Sequence, residues 1–270
     1  MKFTKMHGLG NDFIIVDLWE ECLSVSPQRL APAICHRHFG VGADGLVLIR
    51  HSTRADCRMQ IFNADGSEAE SCGNALRCVA KYVYEAGRAR GDMVTIEALA
   101  GIYSIEVIPR GQQADLLKVN MGVPLVAPSK VVVVTLQSSY EGLVVNTGVP
   151  HLVIFVPSLA GVDYMGEGRQ IERHELFPEG VNVDFVEVMR PDFLRLVVWE
   201  RGAGATLACG TGASAALVAA NLLGFSPRAA TVALPGGQLH IEWNHDDGCI
   251  YMLGPAEKVF SGAYHAVEGR

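Results

Sequence analysis

Ser71-Cys72-Gly73-Asn74-Ala75-Leu76-Arg77 and Ala208-Cys209-Gly210-Thr211-Gly212-Ala213-Ser214 are the two stretches on which the reading of this chain turns. Each opens a helical run on a cysteine, and each run closes on a glycine at the same distance, Gly87 and Gly224. A glycine just past the last periodic residue is a C-cap signal, and small polar residues at the start mark an N-terminus. Both cysteines therefore sit where a helix presents unpaired backbone N–H groups. That end carries partial positive charge and favours an anion, a thiolate included. A free thiol titrates near ~8.5, and helix N-termini lower that to roughly 3.5–7.5. The pattern points to two tuned thiols acting as a pair.

Outward from the pair, the rest of the chain repeats with it. The cysteines lie 137 residues apart, and the same shift lays Arg195 on Arg58, Trp199 on Phe62, Glu200 on Asn63 and Gly224 on Gly87. A shift of 140 lays Gly148 on Gly8, His151 on Asn11, Gly180-Val181 on Gly40-Val41 and Asp184 on Asp44. A shift of 136 lays Gly237 on Gly101 and Ile241-Glu242 on Ile105-Glu106. Loop insertions produce such drift, so the inference is an internal duplication giving two similar domains, residues 1–122 and 123–270. The second helical run, residues 210–223, is apolar nearly all round and has to be buried on every side. With strands before and after it, the expected class is α/β (α+β). Two pseudo-symmetric domains each form a curled mixed sheet or barrel around a central helix, with the last strand free to pack back on the N-terminal half. If the halves face each other, both helix N-termini point into one cleft, where ligand sites often lie.

Local signals fill in the frame. Residues 3–16 read as strand, glycine-rich turn, strand. Gly8-Leu9-Gly10 lacks the third glycine and the following helix of a dinucleotide fingerprint. Residues 27–38 read as a helix, followed by the turn cluster Gly40-Val41-Gly42-Ala43-Asp44-Gly45. Residues 58–62 alternate polar and apolar and read as a strand, and strands are also read at 46–49, 94–98, 102–108, 117–121 and 193–199. Asn63-Ala64-Asp65-Gly66 is a turn, since Asn and Asp bond their own backbone and Gly allows positive φ.

Composition excludes several function classes. The chain has 270 residues, 49% hydrophobic and 19% charged, which is ample for two packed cores. A net charge of −7 without a basic stripe argues against nucleic acid as partner. The longest apolar runs, 131–136 and 213–225, fall short of the about 20 residues that span a bilayer. The opening Met1-Lys2-Phe3-Thr4-Lys5-Met6-His7-Gly8 lacks a signal-peptide core. A soluble cytoplasmic protein, with no membrane partner, is expected. The seven cysteines are an odd count without disulfide-framework spacing, which suits a reducing compartment. Cys22, Cys35, Cys57, Cys78 and Cys249 read as small buried hydrophobes. His36 and His38 would face opposite sides of a helix. Neither Cys72 nor Cys209 lies in a zinc-type cluster. No metal is expected.

Two thiols addressing one point suit a racemase, which removes a proton from one face of a carbon and returns one to the other. One thiolate acts as base and one thiol as acid. The resulting carbanion is stabilised by a carboxylate, so Gly73, Asn74, Gly210 and Thr211 at the helix N-termini are candidate carboxylate binders. Asn11, Asn63 and Asn182 fall in repeat-equivalent loops and are candidate ligand contacts. Glu200 stands nine residues before Cys209, as Asn63 stands nine before Cys72. Arg201 suits a substrate carboxylate through bidentate bonding, and His151 can set thiol protonation. A redox thiol pair and a non-catalytic amino-acid-binding protein are the rival readings of the same residues.

The motifs also carry a family resemblance over nearly the whole chain. Phe62-Asn63-Ala64-Asp65-Gly66-Ser67 leads to Cys72-Gly73-Asn74, and Trp199-Glu200-Arg201-Gly202 leads to Ala208-Cys209-Gly210-Thr211-Gly212. These, with His7-Gly8-Leu9-Gly10-Asn11-Asp12-Phe13, Gly148-Val149-Pro150-His151 and Gly180-Val181-Asn182, resemble diaminopimelate epimerase. The resemblance implies an isomerase needing no pyridoxal phosphate or other cofactor, interconverting LL- and meso-diaminopimelate for lysine and peptidoglycan. It implies Cys72 and Cys209 as the acid/base pair, with His151 and Glu200 tuning them. Asn11, Asn63, Asn182, Glu200, Arg201 and the residues after each cysteine would bind substrate, and the enzyme would be a homodimer. Three positions depart from the pattern: Val149 and Gly45 where some members carry Asn and Gln, and Ala205 where a Glu is usual. Proline-type racemases, which also pair two cysteines, are the alternative.

Overall fold

The computed structural model describes residues 1–70, 72–111 and 113–265; Ser71 of the first motif lies outside them. In chain order the elements begin with β1 (Lys2–Gly8), β2 (Asn11–Asp17), α1 (Pro27–Cys35), β3 (Gly45–Arg50), β4 (Cys57–Asn63), β5 (Glu68–Ala69) and α2 (Gly73–Glu85). There follow β6 (Met93–Ala98), β7 (Gly101–Arg110), β8 (Gln113–Gly122), β9 (Leu125–Val126), β10 (Val131–Val134), β11 (Ser139–Asn146) and β12 (Pro150–Phe155). Next are α3 (Tyr164–Glu172), β13 (Asn182–Arg190), β14 (Phe193–Glu200), β15 (Gly204–Thr206) and α4 (Gly210–Leu222). The last are β16 (Ala229–Leu234), β17 (Gly237–Trp243), β18 (Ile250–Gly254) and β19 (Glu257–Ala263). The chain packs as two units. Unit 1 is Met1–Val119 with the segment from Gly254 onward, and unit 2 is Asn120–Leu253.

In unit 1, β1 pairs antiparallel with β19 and with β2, and β2 runs parallel to β3. β3 is antiparallel to β4, β4 antiparallel to β5 and parallel to β6, and β6 antiparallel to β7. Unit 2 repeats the sequence of pairings. β11 is antiparallel to β12, β12 parallel to β13, β13 antiparallel to β14, β14 antiparallel to β15 and parallel to β16, and β16 antiparallel to β17. A parallel pair needs a crossover. The crossovers run through α1 and α2 in unit 1 and through α3 and α4 in unit 2.

The sheets curl round α2 and α4. α2 packs against β1, β2, β4, β6 and β7, and α4 against β11, β12, β13, β14, β16 and β17. α4 is buried on all sides over Ala213–Ala220, as its unbroken apolar composition requires. α2 is buried almost as deeply yet carries Asn74, Arg77 and Lys81 inside, with Arg77 at 0% exposure. Both helices end alike. Arg88 N bonds Val83 O and Gly87 N bonds Tyr84 O, while Phe225 N bonds Ala220 O and Gly224 N bonds Asn221 O. This is the Schellman arrangement, with Gly87 and Gly224 at φ +69° and +77°, where a Cβ would be strained. α1 and the strands between the two helices of unit 1 enclose a core of Phe3, Ile14, Leu30, Ile34, Leu46 and Phe62. Val133, Leu152, Ile154, Ile171, Val183 and Phe185 do the same beneath α3.

Two local readings change. The helix expected over 27–38 stops at Cys35, because His36 turns to extended backbone and Val41, Gly42 and Ala43 cap the last carbonyls of α1. Cys22 is exposed and Cys249 half-buried, so neither is a core residue. Cys22 lies in the connection between β2 and α1, and Cys249 in the one between β17 and β18.

Candidate active site

Each cysteine motif is the N-cap of the helix at the centre of its unit. Cys72 caps α2 in extended backbone at φ −153°, and Cys209 caps α4 at φ −126°. The first intrahelical bonds run from Leu76 N to Cys72 O and from Ala213 N to Cys209 O. The N–H groups of Gly73, Asn74, Gly210 and Thr211 thus point out of the helix end, where an anion is favoured.

The surroundings of Cys72 form a chain of amides with fixed polarity. Its Sγ lies 3.8 Å from Asn11 Oδ1. Arg77 Nη2 donates to Asn74 Oδ1 at 2.9 Å, Asn74 Nδ2 donates to Asn11 Oδ1 at 3.0 Å, and Asn11 Nδ2 donates to Asp44 Oδ2 at 2.8 Å. A guanidinium only donates and a carboxylate only accepts, so neither amide can be turned round. Behind Asp44, Arg37 bonds both Asp12 (2.9 Å) and Asp44 (2.7 Å), and Lys5 pairs with Asp12 at 2.6 Å. Burial alone would raise the Asp12 carboxyl, but hydrogen bonds from Arg37 and Lys5 hold it below the usual range. Asn63, opposite Gly45 at the end of β4, is exposed, and its amide donates to Ser67 Oγ at 3.0 Å within its own turn.

Cys209 has different company. It is buried at 4% exposure, and Gly212 N–H donates to its Sγ at 3.4 Å. Sγ lies 3.3 Å from Thr211 Oγ1, which lies 3.0 Å from His151 Nε2. His151 Nδ1 is 2.8 Å from Asp184 Oδ2. Burial pushes the Cys209 thiol well up, and the charges of Glu200 and Asp184 add to it; Thr211 and Gly212 pull it down. Glu200 accepts from Thr206 Oγ1 at 2.5 Å, and burial raises its carboxyl. Asn182 Nδ2 donates to Pro150 O at 3.0 Å, and Arg201 N donates to Asn182 Oδ1 at 2.9 Å. The exposed Arg201 guanidinium reaches Glu179 O at 2.9 Å.

The structure thus gathers Asn11, Gly73, Asn74 and Cys72 in unit 1, and His151, Glu200, Cys209, Gly210 and Thr211 in unit 2, with Asn182 holding the backbone of Arg201. Sequence reasoning missed Asp44 and Asp184 as members of these sites. The signal was present, because the 140-residue shift lays one on the other just as it lays His151 on Asn11. The departures are spaced apart. Gly45 opens β3, where a Cβ would meet Phe62 O at 3.0 Å, so the backbone itself fills that place. Ala205 is exposed and pairs with Trp199. Val149 is half-buried and accepts from Thr147 N. Among the described residues no cluster of His, Cys, Asp and Glu is placed to hold a metal ion, and no helix is long and apolar enough to cross a membrane.

Comparison with known proteins extends over the same positions. The family model of diaminopimelate epimerase matches residues 3–126 and 143–259. A diaminopimelate epimerase of Acetivibrio thermocellus is 47% identical over 274 residues, covering 97% of this chain and 98% of its own. One of Pelotomaculum thermopropionicum is 48% identical over 279 residues, covering 98% and 99%. Among solved structures, a probable proline racemase from Agrobacterium radiobacter superposes with a TM-score of 0.76 at 16% identity, over 98% of this chain and 92% of that one. At that identity the likeness speaks for the fold.

Proposed function

The chain belongs to the diaminopimelate epimerase family and is an isomerase of diaminopimelate on the route to lysine, and we propose that Cys72 and Cys209 are the two groups that move its proton. One sulfur, as thiolate, takes the α-hydrogen as a proton. The C–H electron pair stays on the α-carbon and spreads into the adjoining carboxylate. The other sulfur, as thiol, returns a proton to the opposite face, which inverts the centre between the LL and meso forms. The roles exchange for the reverse reaction. No cofactor enters this scheme.

The observation that carries the reading is the matched placement of the two cysteines. Each is the N-cap of the buried helix of its own unit, and each stands beside outward backbone N–H groups suited to the carboxylate of the carbanion intermediate. Gly73, Asn74, Gly210 and Thr211 are proposed to hold that carboxylate. Asn11, Asn63, Asn182, Glu200 and Arg201 are proposed to hold the rest of the substrate, Arg201 through paired N–H donors on a carboxylate. His151 and Glu200 are proposed to set the state of Cys209. A homodimer in the cytoplasm completes the proposal, and light scattering on the purified protein tests the dimer.

Turnover in heavy water tests the chemistry. LL-diaminopimelate should gain deuterium at its α-carbon as it epimerises, and proline and glutamate should not. Label entering proline instead would move the reading to a proline-type racemase. Absence of label from every amino acid would leave a binding protein.

A further inference from the structure

Asp184 on β13 and His151 on β12 are both fully buried, and Asp184 Oδ2 stands 2.8 Å from His151 Nδ1. Neither carboxylate oxygen nor Nδ1 makes an aligned hydrogen bond among the described residues, so the contact is one of proximity and charge. The carboxylate also lies against the first turn of α4, where a Cβ on Gly212 would stand 2.8 Å from Oδ1. An ionised carboxylate buried without hydrogen bonds is costly unless a cation accompanies it. His151 is the cation-forming side chain at ion-pair distance from it among the described residues, and the helix end adds only partial positive charge. A proton taken up at Nε2 therefore makes the ring the cation that this carboxylate faces. On the other edge of the ring, Nε2 reaches Thr211 Oγ1 at 3.0 Å, and Thr211 Oγ1 reaches Cys209 Sγ at 3.3 Å.

We propose that Asp184 is a positioning residue, fixing His151 with Nδ1 toward itself so that Nε2, through Thr211, stores the proton of Cys209. The inference rests on the reading of Cys209 as an acid/base thiol. In the step, Cys209 S–H passes its proton to Thr211 Oγ1 while Thr211 O–H passes its own to His151 Nε2. The S–H electron pair stays on sulfur, the Nε2 lone pair forms the new N–H bond, and Thr211 ends as it began. A thiol and a neutral ring become a thiolate and an imidazolium, with no change in net charge beside Asp184. The other groups facing Cys209 are Glu200 from β14, which opposes the thiolate, and Gly212 N–H on α4, which favours it.

Alkylation of Cys209 by iodoacetamide, resolved by peptide mass spectrometry and followed against pH on the full chain, reads the thiolate fraction. Two effects of Asp184→Asn have opposite signs. Were Asp184 only a nearby negative charge, removing it would lower the pH midpoint of alkylation. Because Asp184 positions the proton store, the midpoint should rise by about one pH unit, and alkylation at pH 7 should slow about tenfold. Thr211→Val, which cuts the relay and keeps the charge, should raise the midpoint likewise, and Asp184→Glu should recover most of the wild-type profile. A midpoint that falls or stays in a folded Asp184→Asn protein, checked by circular dichroism and its melting curve, overturns the proposal. If that variant does not fold, an unmoved or lowered midpoint in Thr211→Val overturns it instead. Failure of the parent reading looks different: Cys209→Ala would then still epimerise, whatever Asp184 does.

Discussion

The N-termini of α2 and α4 are furnished from matched positions with different chemistry. In unit 1, Asp44 holds the amide of Asn11, whose Oδ1 faces Cys72. In unit 2, Asp184 stands against the imidazole of His151, which reaches Cys209 through Thr211. The carboxylate is common to both and the group between carboxylate and thiol differs. An amide oxygen accepts a hydrogen bond from a thiol but does not take its proton near neutral pH, whereas an imidazole does. A second contrast lies beneath. Unit 1 sets an ionic network of Lys5, Asp12, Arg37 and Asp44 behind its site, while unit 2 buries His151 and Asp184 at 0% exposure among apolar strands. Symmetry of backbone thus coexists with asymmetry in the groups beside the two sulfurs.

The sharpest way to break the comparison is to remove each sulfur in turn. Cys72→Ala and Cys209→Ala should each lower epimerase kcat by roughly 10³-fold or more, the scale of a lost general acid or base. Near-wild-type turnover in either would dissolve the pairing.

The helices themselves offer the next contrast. Ala219 on α4 has no exposed surface, so Ala219→Leu should overpack unit 2 and cost about 1–3 kcal/mol in urea unfolding. Ala86→Leu at the exposed end of α2 should cost well under that. Equal costs would mean that α4 is less enclosed than its contacts indicate.

Asn11→Ala should lower kcat/KM about tenfold, the value of one hydrogen bond of about 1–1.5 kcal/mol, and leave the alkylation midpoint of Cys209 where it is. A moved midpoint would contradict the division of roles between Asn11 and His151.

Asp12 makes part of the stability of unit 1 sensitive to acid. Its folded pKa lies below its unfolded value, so its stabilisation is present above about pH 4 and fades as pH falls through the folded value. Asp12→Asn should therefore lower Tm at pH 7 and make little difference near pH 2. A Tm gap that stays constant over that range would remove the network from the explanation.

The smallest effect tests the likeness instead of the difference. Gly87→Ala and Gly224→Ala should each cost roughly 1 kcal/mol, because both caps sit at positive φ with open space around them. Unequal costs would show that the two caps are not equivalent in energy.

Much of this was legible in the residues. The offset of 137 between Cys72 and Cys209, the closing glycines and the apolar stretch of α4 determined two helices, their ends and the repeated strand order, because capping and periodicity are local properties of a chain. Asn11 and His151 could be named from the companion offset of 140, and so could Asp44 and Asp184, though their purpose could not. Only the tertiary structure decided that Arg77 would be buried on α2, that Asn63 would bond within its own turn, that Cys22 would lie exposed, and that Asp184 would meet His151 without aligned hydrogen bonds. Those outcomes depend on which strands lie side by side and how deeply each side chain is withdrawn from water. Burial and pairing of charge are properties of the packed whole, and no spacing along the sequence carries them.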